Sequence, residues 1–333
     1  MTDPSALAMF WAAVIATDVL IYCVLDGFDI GVGILFGTTR DEAKREQMMT
    51  SIAPFWDGNE TWLVVIAASL FAAFPAAYSV FLGALYLPVL LMLVGLIFRG
   101  IAFEFRYRSG GMRKVWDAGF AYGSMLVAFV QGAAVGVMIR GIPVENMQYA
   151  GDAFTWLHPF PVLTGIGLIA GYALLGACWL VLKTEGTLRD WAYARIPWLV
   201  AAVFAVLGLA FLIALTTDFG AAARNNLGQR SWWPVLPMVS IVALLGLLAG
   251  VRLRSDALPF TMAVSFFCVS FLTLAVMFWP HLIPYAITVA DAASPDVSLR
   301  FFFYGGIAVL PVILAYTIGV YWVFRGKIAR PKL

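Results

Sequence analysis

The sequence is short of charge and of the side chains that usually bind metals. Only 12% of its 333 residues are charged and 62% are hydrophobic, whereas a soluble domain carries about 25% charged residues. There are 2 histidines and 3 cysteines, and no CxxC pair of the kind that zinc and iron–sulfur sites use. His158 and His281 each lie beside a proline at the edge of an apolar run, so we expect no pair of imidazoles facing each other inside a helical bundle. This composition excludes a soluble domain and indicates a polytopic membrane protein.

Long apolar runs dominate the chain instead. A transmembrane helix needs about 20 mostly apolar residues, and runs of this kind predict an all-α polytopic membrane protein with about nine transmembrane helices. We expect a single membrane domain over 1–333, with a first bundle over about 7–139, a second over about 161–280 and a final helix over about 302–324. The predicted spans are residues 7–36, 53–73, 77–104, 116–139, 161–182, 197–216, 234–250, 258–280 and 302–324.

Lys and Arg residues are unevenly shared between the segments that connect these spans. Cytoplasmic segments carry an excess of positive residues, so the richer set of segments is predicted to be cytoplasmic. The N-terminus is then outside and the C-terminus is in the cytoplasm. The richer set holds 16 of the 21 Lys and Arg residues and consists of 37–52, 105–115, 183–196, 251–257 and the tail after Phe324.

Acidic side chains occur inside two of the apolar segments. The first span contains Asp26 and Asp29 in the run DGFDIGVG, and the second contains Asp57 and Glu60 in the run PFWDGNETW. On a helix Asp18 and Asp29 lie about 20° apart, which gives the first span one acidic stripe. An Asp at the centre of a spanning helix costs about 2.5–3.5 kcal/mol, while a Leu or Ile returns only about 0.3–0.6 kcal/mol. The acids are therefore expected to face the bundle interior or a wet cavity.

Three roles for these acids remain open at this point. Asp29 and Asp57 flank segment 37–52, which we predict to be a cytoplasmic loop, so both lie toward the inner half of the membrane. A hydrated proton route through Asp29 and Asp57 is one role, and an ion or substrate site is a second. The third role is structural, with Asp57 capping a helix and Asp26 paired with Arg99.

Several motifs resemble those of subunit II of the cytochrome bd ubiquinol oxidases. The resemblance is close over the first three spans and continues more loosely to the last span. The ETW and KTEG runs are most similar to the cyanide-insensitive branch of that family. The motifs are DGFDIGVG at 26–33, IAPFWDGNETW at 52–62, FAAFP at 71–75, LIFRGIAFEFR at 96–106, GYALLG at 171–176 and KTEG at 183–186.

The resemblance implies a partner, subunit I, which carries two b-type haems and haem d. The complex would oxidise quinol and reduce dioxygen to water, taking protons from the cytoplasm and building a proton-motive force without pumping. The haems are expected in the partner and none in this chain. A structural quinone or lipid in this chain and a small accessory subunit stay open, and no nucleic acid is expected. The implied location is the bacterial inner (cytoplasmic) membrane.

The resemblance also implies roles for particular residues. Asp26, Asp29 and Asp57 match the acids that bring cytoplasmic protons toward the haems, while no catalytic residue or metal ligand is expected in this chain. Two rival functions are a proton-coupled secondary transporter and a purely structural or assembly subunit. Transporters often contain inverted repeats and discontinuous helices, and the sequence shows neither. The expected supporting residues are Trp56, Asn59, Glu60, Trp62, Arg99 and Glu104.

Overall fold

The computed structural model describes residues 3–108, 110–217, 221, 225, 227–228 and 230–328. Helices dominate, and two small antiparallel hairpins lie in the connections. The helices are α1 (Ala6–Phe36), α2 (Glu42–Ile52), α3 (Trp56–Ala73), α4 (Pro75–Phe105), α5 (Arg113–Arg140), α6 (Pro159–Lys183), α7 (Gly186–Thr216), α8 (Val235–Arg252), α9 (Leu258–Phe278), α10 (Val289–Ala292) and α11 (Asp296–Val323). The hairpins pair β1 (Val144–Glu145) with β2 (Gln148–Tyr149) and β3 (His281–Ile283) with β4 (Ile287–Thr288).

Among the described residues, eight helices are long and apolar enough to cross a membrane: α1, α4, α5, α6, α7, α8, α9 and α11. The all-α polytopic prediction is confirmed. The second predicted span, residues 53–73, corresponds to helix α3, which is not one of those eight. Its first two turns carry Asp57, Asn59 and Glu60, so its apolar part is short.

Two helices extend beyond the predicted spans, and one predicted connecting loop contains a helix. Helix α7 begins at Gly186 rather than 197 and contains Pro197 within it, and α11 begins at Asp296 rather than 302. Segment 37–52 contains α2 rather than only a loop; the Asp41 side chain caps this helix by accepting from the Lys44 N–H. Polar residues continue or form helices at these places, and a search for apolar runs does not find them.

The junction of α3 and α4 and the course of α4 follow from two prolines. Only Phe74 separates the helices, and Pro75 occupies the first turn of α4. Inside α4, Leu85 leaves the helical region with φ −119° and ψ 22°. Pro88 has no N–H to donate to the carbonyl of Ala84, and its ring crowds that carbonyl. The kink is an interruption that the sequence did not predict.

Glycines bring α1 and α6 into backbone contact. A Cβ atom on Gly31 would lie 1.8 Å from the carbonyl oxygen of Tyr172, and one on Gly176 would lie 2.5 Å from the carbonyl carbon of Gly31. Small residues permit this kind of close helix approach in membranes. Every residue of α1 from Asp26 to Phe36 is consequently buried. The contact places the acidic half of α1 at the centre of the molecule.

An ionic cluster fixes α2 against the ends of α4 and α5. The buried Arg106 donates from Nε to Asp117 at 2.6 Å and from Nη2 to Glu42 at 2.5 Å. Arg45 of α2 donates to the other oxygen of Asp117 at 2.8 Å. These charge-assisted bonds tie three helices together on the predicted cytoplasmic side. They hold the junction between α2 and α3 in place.

Candidate functional site: a buried acidic cluster

An arginine lies between two acids from different helices. The Asp26 side chain of α1 is 0% exposed and that of Arg99 of α4 is 1% exposed. Arg99 Nη1 is 3.4 Å from Asp26 Oδ1 and 2.7 Å from Glu60 Oε1 of α3. Three helices therefore meet at one guanidinium group. Asp26 is therefore paired with Arg99, as expected if these acids have a purely structural role.

A second set of hydrogen bonds joins Asp29 to the last helix. Asn59 Nδ2 donates to Asp29 Oδ2 at 2.6 Å and to the carbonyl oxygen of Leu25 at 3.1 Å. The Tyr321 hydroxyl donates to Asn59 Oδ1 at 3.1 Å. The Asn59 side chain thus uses both its amide nitrogen and its oxygen. It connects the acidic half of α1 with the end of α11.

The buried acidic cluster, defined here as Asp26, Asp29, Glu60, Arg99 and Asn59, is not a closed set of pairs. Asp26 Oδ2, Asp29 Oδ1 and the Nε and Nη2 atoms of Arg99 have no hydrogen-bond partner among the described residues. A buried polar atom left unpaired costs about 1–3 kcal/mol. Such atoms are uncommon in folded proteins.

A separate hydrogen-bonded chain lies beside the buried acidic cluster and joins α1 to α5 and α6. Gln131 Nε2 donates to the hydroxyl of Tyr22, one helical turn from Asp26, at 2.8 Å. The Tyr172 hydroxyl donates to Gln131 Oε1 at 2.7 Å. Gln131 and Tyr172 were missed by the sequence reasoning, as was Tyr321. For Gln131 a signal existed, since it is an isolated amide in an otherwise apolar run of α5.

The remaining predicted residues fall in different surroundings. Asp57 is exposed in the first turn of α3 and Glu104 is exposed near the end of α4, so neither joins the buried acidic cluster. Trp62 is 2% exposed. Trp56 stacks on Phe103 with ring centroids 5.2 Å apart. Asp57 and Glu60 lie three residues apart on α3, yet only Glu60 contacts the buried Arg99.

Two openings lie near the start of α3, on the side predicted to be cytoplasmic, and one of them is lined by Asn59. The first, here called the cleft, lies between the start of α3 and the end of α11; the second, here called the cavity, has a volume of about 400 Å³. Pro54 and Phe55 line both of them. The other residues that line the cleft are Gly58, Asn59, Tyr316, Thr317, Val320 and Tyr321. The other residues that line the cavity are Thr50, Ser51, Lys183, Val323, Phe324, Gly326, Lys327 and Ile328.

The histidines do not fit a haem site in this chain. His158 is exposed and precedes α6, and His281 lies in β3 of a connecting hairpin. Neither is within a transmembrane helix, where two imidazoles could face each other across a porphyrin. The described part of the chain also contains no group of three or more His, Cys, Asp or Glu residues that could hold a metal ion.

The fold and the buried acidic cluster define a polytopic α-helical membrane protein with ionisable groups inside its bundle. The sequence profile of the family described as cytochrome bd terminal oxidase subunit II matches residues 7–324. The chain belongs to this family. It is therefore a subunit of a bd-type terminal oxidase, an oxidoreductase complex. Complexes of this family contain haem and a subunit I.

Individual relatives agree with this assignment over their full length. The chain is 29% identical to the cytochrome bd-I ubiquinol oxidase subunit 2 of Escherichia coli K12, over 100% of this chain and 98% of that protein. It is also 29% identical to the cytochrome bd ubiquinol oxidase subunit 2 of Bacillus subtilis, over 98% of each. The bd oxidase structure from Geobacillus thermodenitrificans superposes with a TM-score of 0.80 at 15% identity, over 96% of this chain and 99% of that chain. That structure supports the fold.

Proposed function

We propose that this chain supplies cytoplasmic protons to a haem-bearing subunit I in a bd-type quinol oxidase of the bacterial inner membrane. Subunit I would carry haem b and haem d, which supply the electron-transfer and oxygen chemistry. Ubiquinol is the substrate in the names of two relatives, and the proposal extends a quinol substrate to this complex. Protons taken up from the cytoplasm for water formation would separate charge across the membrane without pumping.

The observation that carries the proposal is the charge imbalance of the buried acidic cluster. Asp26 and the partly exposed Glu60 contact the guanidinium group of Arg99, and Asp29 interacts with the same group electrostatically. With every group ionised, the cluster would carry a net charge of minus two in a site of low dielectric constant, where like charges repel strongly. At least one proton is therefore expected to be held there. A cluster that holds a proton and has unpaired oxygen atoms can accept and release protons.

The polar residues in and near the buried acidic cluster would have different tasks. Asn59 donates to Asp29 Oδ2 and so stabilises the ionised carboxylate. Asp29 Oδ1 has no partner among the described residues and is available to accept a proton. Arg99 balances the charge of Asp26 and Glu60 during the transfer. Asp57 is exposed on the predicted cytoplasmic side and can attract protons to the surface.

A specific observation also favours a second function, that of a structural subunit. The contacts of Arg99 with Asp26 and Glu60 are those expected if the acids only join helices. In that case the acids would hold α1, α3 and α4 together, and oxygen reduction would not depend on their protonation. Removing one partner of such a buried pair would lower stability, but turnover in the assembled complex would be normal.

The test compares Asp29→Asn and Asp57→Asn in the complete complex. Both variants are expected to lower quinol-dependent oxygen consumption, because an amide cannot take up a proton. Unchanged haem absorption spectra would show that the complex is assembled. Glu46→Gln, an exposed acid of α2, is the matched control and is expected to have full activity. Full turnover in both Asp variants would reject the proton route and leave the structural function.

A further inference from the structure

The hydrogen-bonded chain beside the buried acidic cluster contains an amide whose orientation is fixed. We propose that Gln131 of α5 is a positioning residue, which holds the Tyr22 hydroxyl so that its proton points to Asp26 and keeps Asp26 ionised. Asp26 would then be a permanent negative charge, and the proton held in the cluster would be on Asp29 or Glu60. This inference rests on the proposed proton-supplying function and adds to it a protonation assignment and a positioning residue.

The amide of Gln131 has partners for both its oxygen and its nitrogen. Tyr172 of α6 donates its hydroxyl proton to Oε1 at 2.7 Å, and Nε2 donates to the Tyr22 hydroxyl oxygen at 2.8 Å. Nε2 also lies 4.0 Å from the sulfur of Met92 in α4. A thioether sulfur accepts hydrogen bonds but has no proton to donate, so the amide atom that faces Met92 is the nitrogen. The reversed amide would place Oε1 against this sulfur, with no donor between them.

Tyr172 is held in place by the contact between α1 and α6. Its side chain is 0% exposed, and its ring stacks on Phe267 of α9 with centroids 5.7 Å apart. A Cβ atom on Gly27 would lie 2.7 Å from Cε1 of the same ring, so the glycine that follows Asp26 leaves room for the ring. The Tyr172 hydroxyl therefore has a defined position, and it defines the orientation of the Gln131 amide.

The Tyr22 hydroxyl can then donate to Asp26. Its oxygen accepts from Gln131, so its own proton is available to another acceptor. Tyr22 and Asp26 are four residues apart in α1 and are therefore neighbours on one face of the helix. Their side chains interact electrostatically, and Asp26 Oδ2 has no hydrogen-bond partner among the described residues. Asp26 is thus the acceptor toward which the chain of donors leads.

Arg99 does not by itself hold Asp26 firmly in the ionised form. Its Nη1 atom is 3.4 Å from Asp26 Oδ1 but 2.7 Å from Glu60 Oε1, and N–H···O hydrogen bonds are usually about 2.7–3.2 Å long. A hydrogen bond donated to a carboxylate favours its ionised form. The Tyr22 hydroxyl is therefore the second donor that Asp26 needs. Asp29 accepts from a neutral amide alone, which makes it a better place for the proton.

Infrared spectroscopy of the complete complex in H2O and D2O tests the assignment. A protonated carboxyl group has a carbonyl stretching band that a carboxylate lacks, and deuterium exchange shifts this band. We expect Asp29→Asn or Glu60→Gln to remove such a band and Asp26→Asn to remove none. Tyr22→Phe should gain a band of up to one carboxyl group, which disappears when Asp26→Asn is added. Tyr122→Phe, which alters an exposed tyrosine of α5, is the control and should gain no band.

Gln131→Leu tests the positioning role. This variant should gain the same Asp26 band at lower intensity than Tyr22→Phe, because the amide no longer holds the hydroxyl or strengthens its donation. The double variant should match Tyr22→Phe, since Gln131 acts only through Tyr22. Absence of the band in Gln131→Leu, or a larger band in the double variant than in Tyr22→Phe, would overturn the role of Gln131. Should Gln131→Leu not assemble, Tyr172→Phe removes the donor that orients the same amide and is expected to gain the same band.

The outcomes distinguish this inference from the proposed function. No new band in Tyr22→Phe would overturn the inference, and so would the loss of a band in Asp26→Asn. Full turnover in Asp29→Asn would instead reject the proton-supplying function, while the infrared bands still decide the ionisation of Asp26.

Discussion

Replacing Arg99 by methionine is the perturbation whose effect can be worked out most directly from the structure. The guanidinium group is 2.7 Å from Glu60 and 3.4 Å from Asp26. At an effective dielectric constant of 20, these separations correspond to attractions of about 6 and about 5 kcal/mol. Desolvation of the three groups offsets a large part of this attraction. Removing one partner of a buried pair typically lowers stability by about 3–5 kcal/mol.

The assay is thermal unfolding of the purified complex in mild detergent. We expect Arg99→Met to lower the melting temperature by roughly 5–10 °C, because Asp26 and Glu60 would be left without their counter-charge. Adding Asp26→Asn and Glu60→Gln to Arg99→Met should restore part of the loss, since the two acids that contact Arg99 then no longer need a counter-charge. Arg108→Met, an exposed arginine just beyond the same helix, is the control. An unchanged melting temperature in Arg99→Met would refute the reasoning.

Two further predictions concern the contact between α1 and α6 and the C-terminal segment. Gly31→Ala should prevent normal assembly, because its Cβ would lie 1.8 Å from a backbone oxygen of α6. The control is Gly319→Ala, which has open space around its Cβ and should assemble. Equal yields of assembled complex from the two variants would contradict the contact. Partial burial acts to raise the pKa of the Asp256 carboxyl, but hydrogen bonds from Lys327 and Tyr193 outweigh it and lower the pKa. A lowered pKa stabilises the protein above the ordinary value of about 4, and this stabilisation is lost as the pH falls through the folded-state pKa. Asp256→Asn should therefore reduce stability by about 0.5–1 kcal/mol near neutral pH and by less in acid. Thermal unfolding at several pH values measures this. A stability difference between the variant and the unmodified protein that does not change with pH would contradict this linkage.

The acidic half of α1 shows what the sequence could predict. The DGFDIGVG run lies inside an apolar segment, so it predicted that Asp26 and Asp29 face the bundle interior. The burial of both acids confirms this prediction. The spacing within one helix contains this information, because helical periodicity is local.

The partners of Asp29 show what could not be predicted. Tyr321 is 262 positions from Asn59 in the chain, and no local pattern relates two helices so far apart. The i, i+3 spacing of Asp57 and Glu60 gave a shared face, yet only the packing of α1 and α4 decides that Glu60 contacts Arg99 while Asp57 is exposed. The kink at Leu85 likewise depends on how α4 accommodates Pro88.

The most direct test of the account is proton uptake by the complex containing Asp29→Asn, reconstituted in vesicles with one orientation. A pH indicator on the cytoplasmic face would record protons taken up during a single turnover after oxygen is added to the reduced complex. The account predicts that uptake from this face is slowed together with oxygen reduction, while Glu46→Gln takes up protons at the normal rate. Uptake at the normal rate in Asp29→Asn would contradict a proton route through the buried acidic cluster.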